Sequence, residues 1–167
     1  MDDFEKLVSE CQRHGINRNI ENSAWNHALI LFKYMIKEAV EKNKSIRLVS
    51  GGLKSTFYDK LYDEVSVFLT QIKEKRISVE VIVLKDKEVV GKNNFISFIE
   101  NGGGSIKYIP DGVKEYDGSH FILIGNDCYR IEVDHEKTKA IANFSNVKIG
   151  DMLFMIFSEL DKIAVAA

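Results

Sequence analysis

Late in the chain, His120 opens the apolar run His120-Phe121-Ile122-Leu123-Ile124, which closes on Gly125-Asn126-Asp127. An imidazole can act as nucleophile or proton carrier, and so can set up group transfer. A histidine at the head of an apolar strand is also what a satisfied core histidine looks like. Asp127 falls where a tight turn favours Asp for local reasons. Asn143 ends a second short run, Ala140-Ile141-Ala142-Asn143. A third feature, Gly51-Gly52-Leu53-Lys54-Ser55-Thr56, follows a strand pattern and precedes a helix pattern. It lacks the G-x4-G-K-[ST] spacing of a phosphate loop. Gly51, Gly52 and Ser55 are nevertheless candidates for an anion site, because bare amides at a helix start beside a strand end favour anions.

Asp134-His135-Glu136-Lys137 holds a second H-x-K triplet, but its charged surroundings read as an exposed loop. His27 lies beside apolar positions and reads as a packing residue. His14, next to Gly15, reads as a cation at a helix C-terminus. Cys11 and Cys128 are far apart without a CxxC partner, so reduced thiols are expected, with no metal site and no cofactor.

The elements that must position these residues follow from periodicity. Phe4, Leu7, Val8 and Cys11 mark a short helix ending near Gly15. Trp25, Leu29, Phe32, Ile36 and Val40 mark a longer one, with Asn22 or Ser23 as N-cap. Residues 45–50 form a strand, and Tyr58, Leu61, Tyr62, Val65, Phe68, Leu69 and Ile72 a helix that Ser55 or Thr56 can cap. Truncating Phe68 to Ala on that stripe is expected to cost about 3–5 kcal/mol. Strand 79–84, a short helix near 95–99 and strand 105–109 complete a β-α-β-α-β order, the pattern of a parallel sheet with crossovers. Strands at 120–124, 128–133 and 139–144 then turn antiparallel, and a final helix spans about 147–164. Its run Leu153-Phe154-Met155-Ile156-Phe157 is too apolar for a helix packed on one side only.

With 167 residues, 45% hydrophobic and 29% charged, the chain is expected to be one α/β domain over 1–167, residues 1–44 being a helical extension packed on it. The sheet is expected to be mixed, mostly parallel and flanked by helices. No apolar stretch is long enough for a membrane span. The acidic start, Met1-Asp2-Asp3-Phe4-Glu5, is unlike a signal peptide, so a cytoplasmic setting is expected. A net charge of −2 gives nucleic-acid binding no support, although a local basic face stays open.

The element order and motif fragments over roughly 46–164 resemble the phospholipase D-like superfamily, in its single-domain, nuclease-like branch. His120 and Asp127 sit at the spacing of the H-x-K-x4-D motif, and Asn143 matches the asparagine of the G-S-x-N strand. The resemblance implies that His120 would form a phosphohistidine, a second His would protonate the leaving group, and Lys with Asn would neutralise the phosphate. Ile122 stands at the lysine position, and Ala140 and Ile141 replace Gly and Ser. Losing such a cation commonly costs orders of magnitude in rate. If the hairpin turns at Asn126-Asp127, Leu123 pairs with Arg130, which puts Arg130 on the face away from His120 and makes it a poor substitute. The favoured expectation is therefore a non-catalytic module acting by binding or assembly, as a homodimer or with a paralogous subunit. The resemblance favours a pairing that brings two His120 regions together. The alternative is a phosphodiesterase or nuclease with His120 as nucleophile and a substituted cation.

Overall fold

The computed structural model describes residues 1–85, 87, 90–113, 120–134 and 139–166. Helix α1 (Asp3–His14) is capped by the Asp2 carboxylate, which accepts from Glu5 N, and ends on left-handed Gly15. Strand β1 (Ile20–Asn22) leads into helix α2 (Trp25–Lys42), whose N-cap is Ala24. Asn22 is therefore no cap: it closes β1, and its side chain is used elsewhere. Strand β2 (Ile46–Ser50), helix α3 (Ser55–Lys75) and strand β3 (Val79–Val83) follow, with Lys54 rather than Ser55 or Thr56 as the α3 N-cap. Helix α4 (Asn94–Phe98) runs into a π-turn at Ile99–Gly103 and strand β4 (Ser105–Tyr108). Strands β5 (Phe121–Ile124), β6 (Cys128–Asp134) and β7 (Lys139–Asn143) precede helix α5 (Val147–Ile163) and strand β8 (Val165–Ala166).

The eight strands form one sheet in the order β1-β7-β6-β5-β2-β3-β4-β8. Among the described residues, only the β2–β3 and β3–β4 pairings are parallel. The sheet is thus mixed but mostly antiparallel, because the hairpin strands and both short edge strands outnumber the β-α-β-α-β half. Strand β5 lies against β2, pairing Leu48 with Ile122, so the hairpin is spliced onto the centre of the sheet.

Alternation along these strands fills two cores. Leu48, Val81, Ile122 and Ile124 face helices α1 to α4, while Val49, Ile82, Phe121 and Leu123 face α5. Helix α2 is buried on nearly every side, from Leu31 and Met35 to Glu38 and Ala39. Helix α5 is the opposite case. It seats Leu153, Phe157 and Leu160 on the sheet but leaves Val147, Met152, Phe154 and Met155 exposed. The helix carrying Trp25 and Phe32 sits across the sheet from α5 and does not cover it.

The hairpin register decides which side chains share the helical layer's face. The turn contains three residues, Gly125, Asn126 and Asp127, with Gly125 left-handed, so Ile124 pairs with Cys128 and Ile122 with Arg130. Among the described residues no helix is long and apolar enough to cross a membrane.

On α3, Leu61 is 1% and Leu69 3% exposed, whereas Phe68 is only partly buried against the core edge. The large stability cost expected of Phe68 therefore moves to its neighbours. Leu61→Ala should cost about 2–5 kcal/mol and Phe68→Ala clearly less, as read from urea unfolding midpoints. Equal losses would show that α3 packs on the sheet through a different stripe.

Candidate functional site

His120 sits just before β5, and its carbonyl accepts from Glu132 N, so the two residues face each other across the hairpin. Its Nδ1 lies 3.2 Å from Glu132 Oε2. Such a contact fixes the orientation of an imidazole. The other edge of the ring packs on Gly51. A Cβ there would lie 2.6 Å from His120 Cε1 and 2.9 Å from Nε2, so only glycine fits without displacing the ring.

Arg130 departs from its expected face. Pairing it with Leu123 requires a two-residue turn, and the third turn residue shifts the register by one and flips every β6 side chain. Arg130 therefore stands directly beside Ile122, on the same face as His120. Its Nε and Nη2 donate to Asn22 Oδ1 at 3.3 and 3.2 Å, and its Nη1 lies 3.7 Å from Glu132 Oε1. Asn22 is held in turn by donating to the Ala140 carbonyl at 3.2 Å. Burial lowers the Arg130 pKa, against the opposing pull of Glu132. The guanidinium stays charged all the same, as arginine does in proteins.

The loop after β2 completes the floor. Ser50 Oγ accepts from Leu53 N at 3.2 Å, and Asn93 Nδ2 donates to the Leu53 carbonyl at 2.8 Å. These bonds and the buried Leu53 side chain hold a left-handed backbone (φ 50°) that a leucine does not choose by itself. Tyr58 Oη donates to Ser50 Oγ at 3.5 Å, and burial pushes its pKa up to about 12, so it keeps its proton at neutral pH.

Around this cluster lies an open cavity of about 460 Å³, within the range of small-ligand sites. Among the described residues, Lys54, Lys85 and Arg130 line it with one carboxylate, Glu132, alongside His120, Gly51 and Gly52. The described lining thus carries more positive than negative side chains in a chain whose net charge is −2. Trp25, Phe32 and Phe57 form one wall. Among the described residues no cluster of three His, Cys, Asp or Glu could hold a metal ion.

Of the residues singled out from sequence, His120, Gly51 and Gly52 come together here. Ser55 starts α3 outside the cavity lining, and Lys54 and Phe57 flank it there instead. Asn143 is not brought to His120. It pairs with Tyr129 on the opposite face, donating to Asn17 and Asn19 at 2.8 and 3.0 Å and accepting from Ser145 N at 2.9 Å. Asp127 lies at the far end of β5, about 13 Å of strand away, bound to Lys44 at 2.9 Å. His27 stacks on Phe4 at 3.8 Å. The second H-x-K triplet, at His135 to Lys137, lies outside the described residues. Sequence reasoning missed Arg130, Glu132, Tyr58 and Trp25 as site residues. A left-handed glycine opening a three-residue turn was the available signal for the first two.

No protein-family model matches the sequence, and no curated protein matches it. Solved structures do match. NucT from Helicobacter pylori superposes with a TM-score of 0.64 at 8% identity, over 91% of this chain and 100% of that one. Nuc from Salmonella typhimurium, a phospholipase D family member, gives 0.61 at 12%, over 90% and 99%. TrmBL2, an archaeal chromatin protein described as having a novel mode of DNA binding, gives 0.63 at 11%. This chain is covered over 98% of its length there and spans 60% of TrmBL2.

The contact between Gly51 and His120 predicts unequal glycine substitutions. Gly51→Ala should move the imidazole and shift its NMR resonances. Gly52→Ala meets only the flexible Lys85 side chain at 3.5 Å and should leave them in place. Unchanged His120 signals in Gly51→Ala would mean that the ring does not rest on this loop.

Proposed function

We propose, from the phospholipase D-like fold of this chain and the cationic cavity at His120, that it binds a phosphate-bearing ligand without turning it over, and that it acts as a homodimer. The observation that carries the reading is the packing of His120 Nε2 against Gly51. With Nδ1 engaged by Glu132, Nε2 is the nitrogen that would have to attack phosphorus, and a nucleophile needs an open approach of roughly 3–3.5 Å to its target. Gly51 packs close to that nitrogen and crowds its approach. Arg130 supplies positive charge beside Ile122, but Asn22 and Glu132 hold it in place. Tyr58 retains its proton too strongly to serve as an efficient acid for a leaving group.

A second reading, a phosphodiesterase, is favoured by one specific feature. The Glu132–His120 pair with a neighbouring guanidinium is an arrangement that can activate an imidazole and neutralise a phosphate. The DNA binding named for TrmBL2 and the nuclease-like resemblance point the same way, whereas a net charge of −2 gives an extended polyanion little attraction. The two readings separate cleanly. Purified protein should release no nitrophenol from bis(p-nitrophenyl) phosphate and form no acid-labile phosphohistidine. Metal-independent turnover that vanishes in His120→Ala would establish the enzyme instead.

Support for assembly comes from α5, where Phe154 is 42% and Met155 68% exposed on the face away from the cavity. A two-fold pairing through α5 would bury this strip in an isologous interface. Each His120 cavity would then stay within its own subunit. Light scattering at micromolar concentration should give twice 19.0 kDa, and Met155→Asp should halve that mass while the far-ultraviolet circular dichroism stays that of the folded chain. A 19.0 kDa species in the unaltered protein would sink the dimer.

A further inference from the structure

Trp25, the sole tryptophan of the chain, is 48% exposed at the lip of the His120 cavity. Indoles placed with one edge packed and the other in water are typical of binding surfaces. Its ring is not loose. Phe57 meets it edge-on, with centroids 5.7 Å apart and planes at 85°. Phe57 in turn packs edge-on against Phe32 and Tyr58, each at 5.2 Å. The wall is therefore a continuous run of fixed rings leading from the lip to Tyr58 and Ser50, beside Arg130. The cavity thus offers positive charge at Arg130, whose guanidinium lies over the Phe32 ring 5.7 Å from its centroid, and aromatic surface running from there out to Trp25.

A ligand matching only that positive charge, such as inorganic phosphate, would leave the indole bare. We infer that the ligand is a phosphate ester whose organic part carries a flat ring, of nucleoside monophosphate size, and that Trp25 is the residue that selects it by stacking. This rests on the phosphate site proposed above. The phosphate would lie towards Arg130, Lys85 and Lys54, and the ring would lie along Trp25. Stacking of a base on an aromatic side chain typically strengthens binding by about tenfold to a hundredfold.

Because no other indole is present, intrinsic fluorescence reports this site directly. Titration with adenosine 5′-monophosphate should quench the emission saturably, and adenosine without phosphate should bind at least about tenfold more weakly. By calorimetry, the monophosphate should bind at least about tenfold tighter than ribose 5-phosphate. Trp25→Ala should bring its affinity down to that of ribose 5-phosphate while leaving ribose 5-phosphate itself unchanged, and Trp25→Phe should restore part of the preference. Trp25 is exposed, so a thermal melt matching the unaltered protein is expected for both variants. If ribose 5-phosphate binds as well as the monophosphate, or if Trp25→Ala keeps the preference, the stacking inference falls and the phosphate site stands. If neither phosphate ester binds, or if adenosine binds as tightly as its monophosphate, the phosphate site falls with it.

Discussion

The ammonium of Lys44 ties three parts of the chain together. It lies 2.9 Å from Glu38, a carboxylate buried completely in α2, and 2.9 Å from Asp127 in the β5–β6 turn. Burial alone would raise the Glu38 pKa, but hydrogen bonds from Lys44, Gln12 and Lys42 overcome it and hold the carboxyl below its usual range. Lys44 shows the mirror image. Burial would lower its pKa, and the two carboxylates raise it. A buried charge tolerates little movement, because losing its partners leaves it desolvated and unpaired. The turn is therefore clamped, with Gly125 N donating to the Ser45 carbonyl at 2.8 Å and the Lys44 stem packed close to Gly125. Gly150 adds a second clamp, since a Cβ there would run into the backbone of Asn126. Clamping the turn fixes the register, and the register sets Arg130 and Glu132 beside His120.

The motif fragments have been put to different uses within this arrangement. Asp127 keeps its place in the spacing but works as an anchor for the turn. Ile122, at 2% exposure, fills core under α2 where an ammonium would need a partner. Positive charge has not left the face. It sits one strand over, on Arg130, whose planar fork suits a fixed pair of acceptors, and Asn22 and Glu132 provide them. An arginine committed in this way lends the cavity a steady positive field while having little freedom to follow a moving phosphoryl group.

How much of this could be read from the sequence depended on which physical signal was local. Helical stripes such as Leu61, Val65, Leu69 and Ile72, and the β-branched run at 79–83, announce themselves by period, and the elements formed nearly where expected. The sheet's parallel half and the hairpin were legible for the same reason. Strand β1, of three residues, and strand β8, of two, are too short to carry a period and exist because β7 and β4 offer them edges. The site was only half legible. His120 and Gly51 stood out by type, but their meeting depends on the β2–β5 pairing. Arg130 falls on the unexpected face because period 2 converts a one-residue error in turn length into a complete inversion of faces. Asn143 matched by spacing alone, and its amide went to Asn17 and Asn19, residues no motif mentions.

The N-terminal segment explains why a sheet-end cleft became a pocket within a single chain. Cavities in sheets of this kind open at the ends of parallel strands, and the end of β2 carries Gly51 and Gly52. Helix α2 crosses above that end, and its burial on nearly all sides leaves it no freedom to tilt. Its first turn therefore places Trp25 and Ala28 along the cavity, while β1, just before it, delivers Asn22 to Arg130. One stretch of about seven residues thus steadies the guanidinium at the floor and sets an aromatic platform at the lip. Because both come from the same rigid segment, the distance between charge and ring is fixed by the fold.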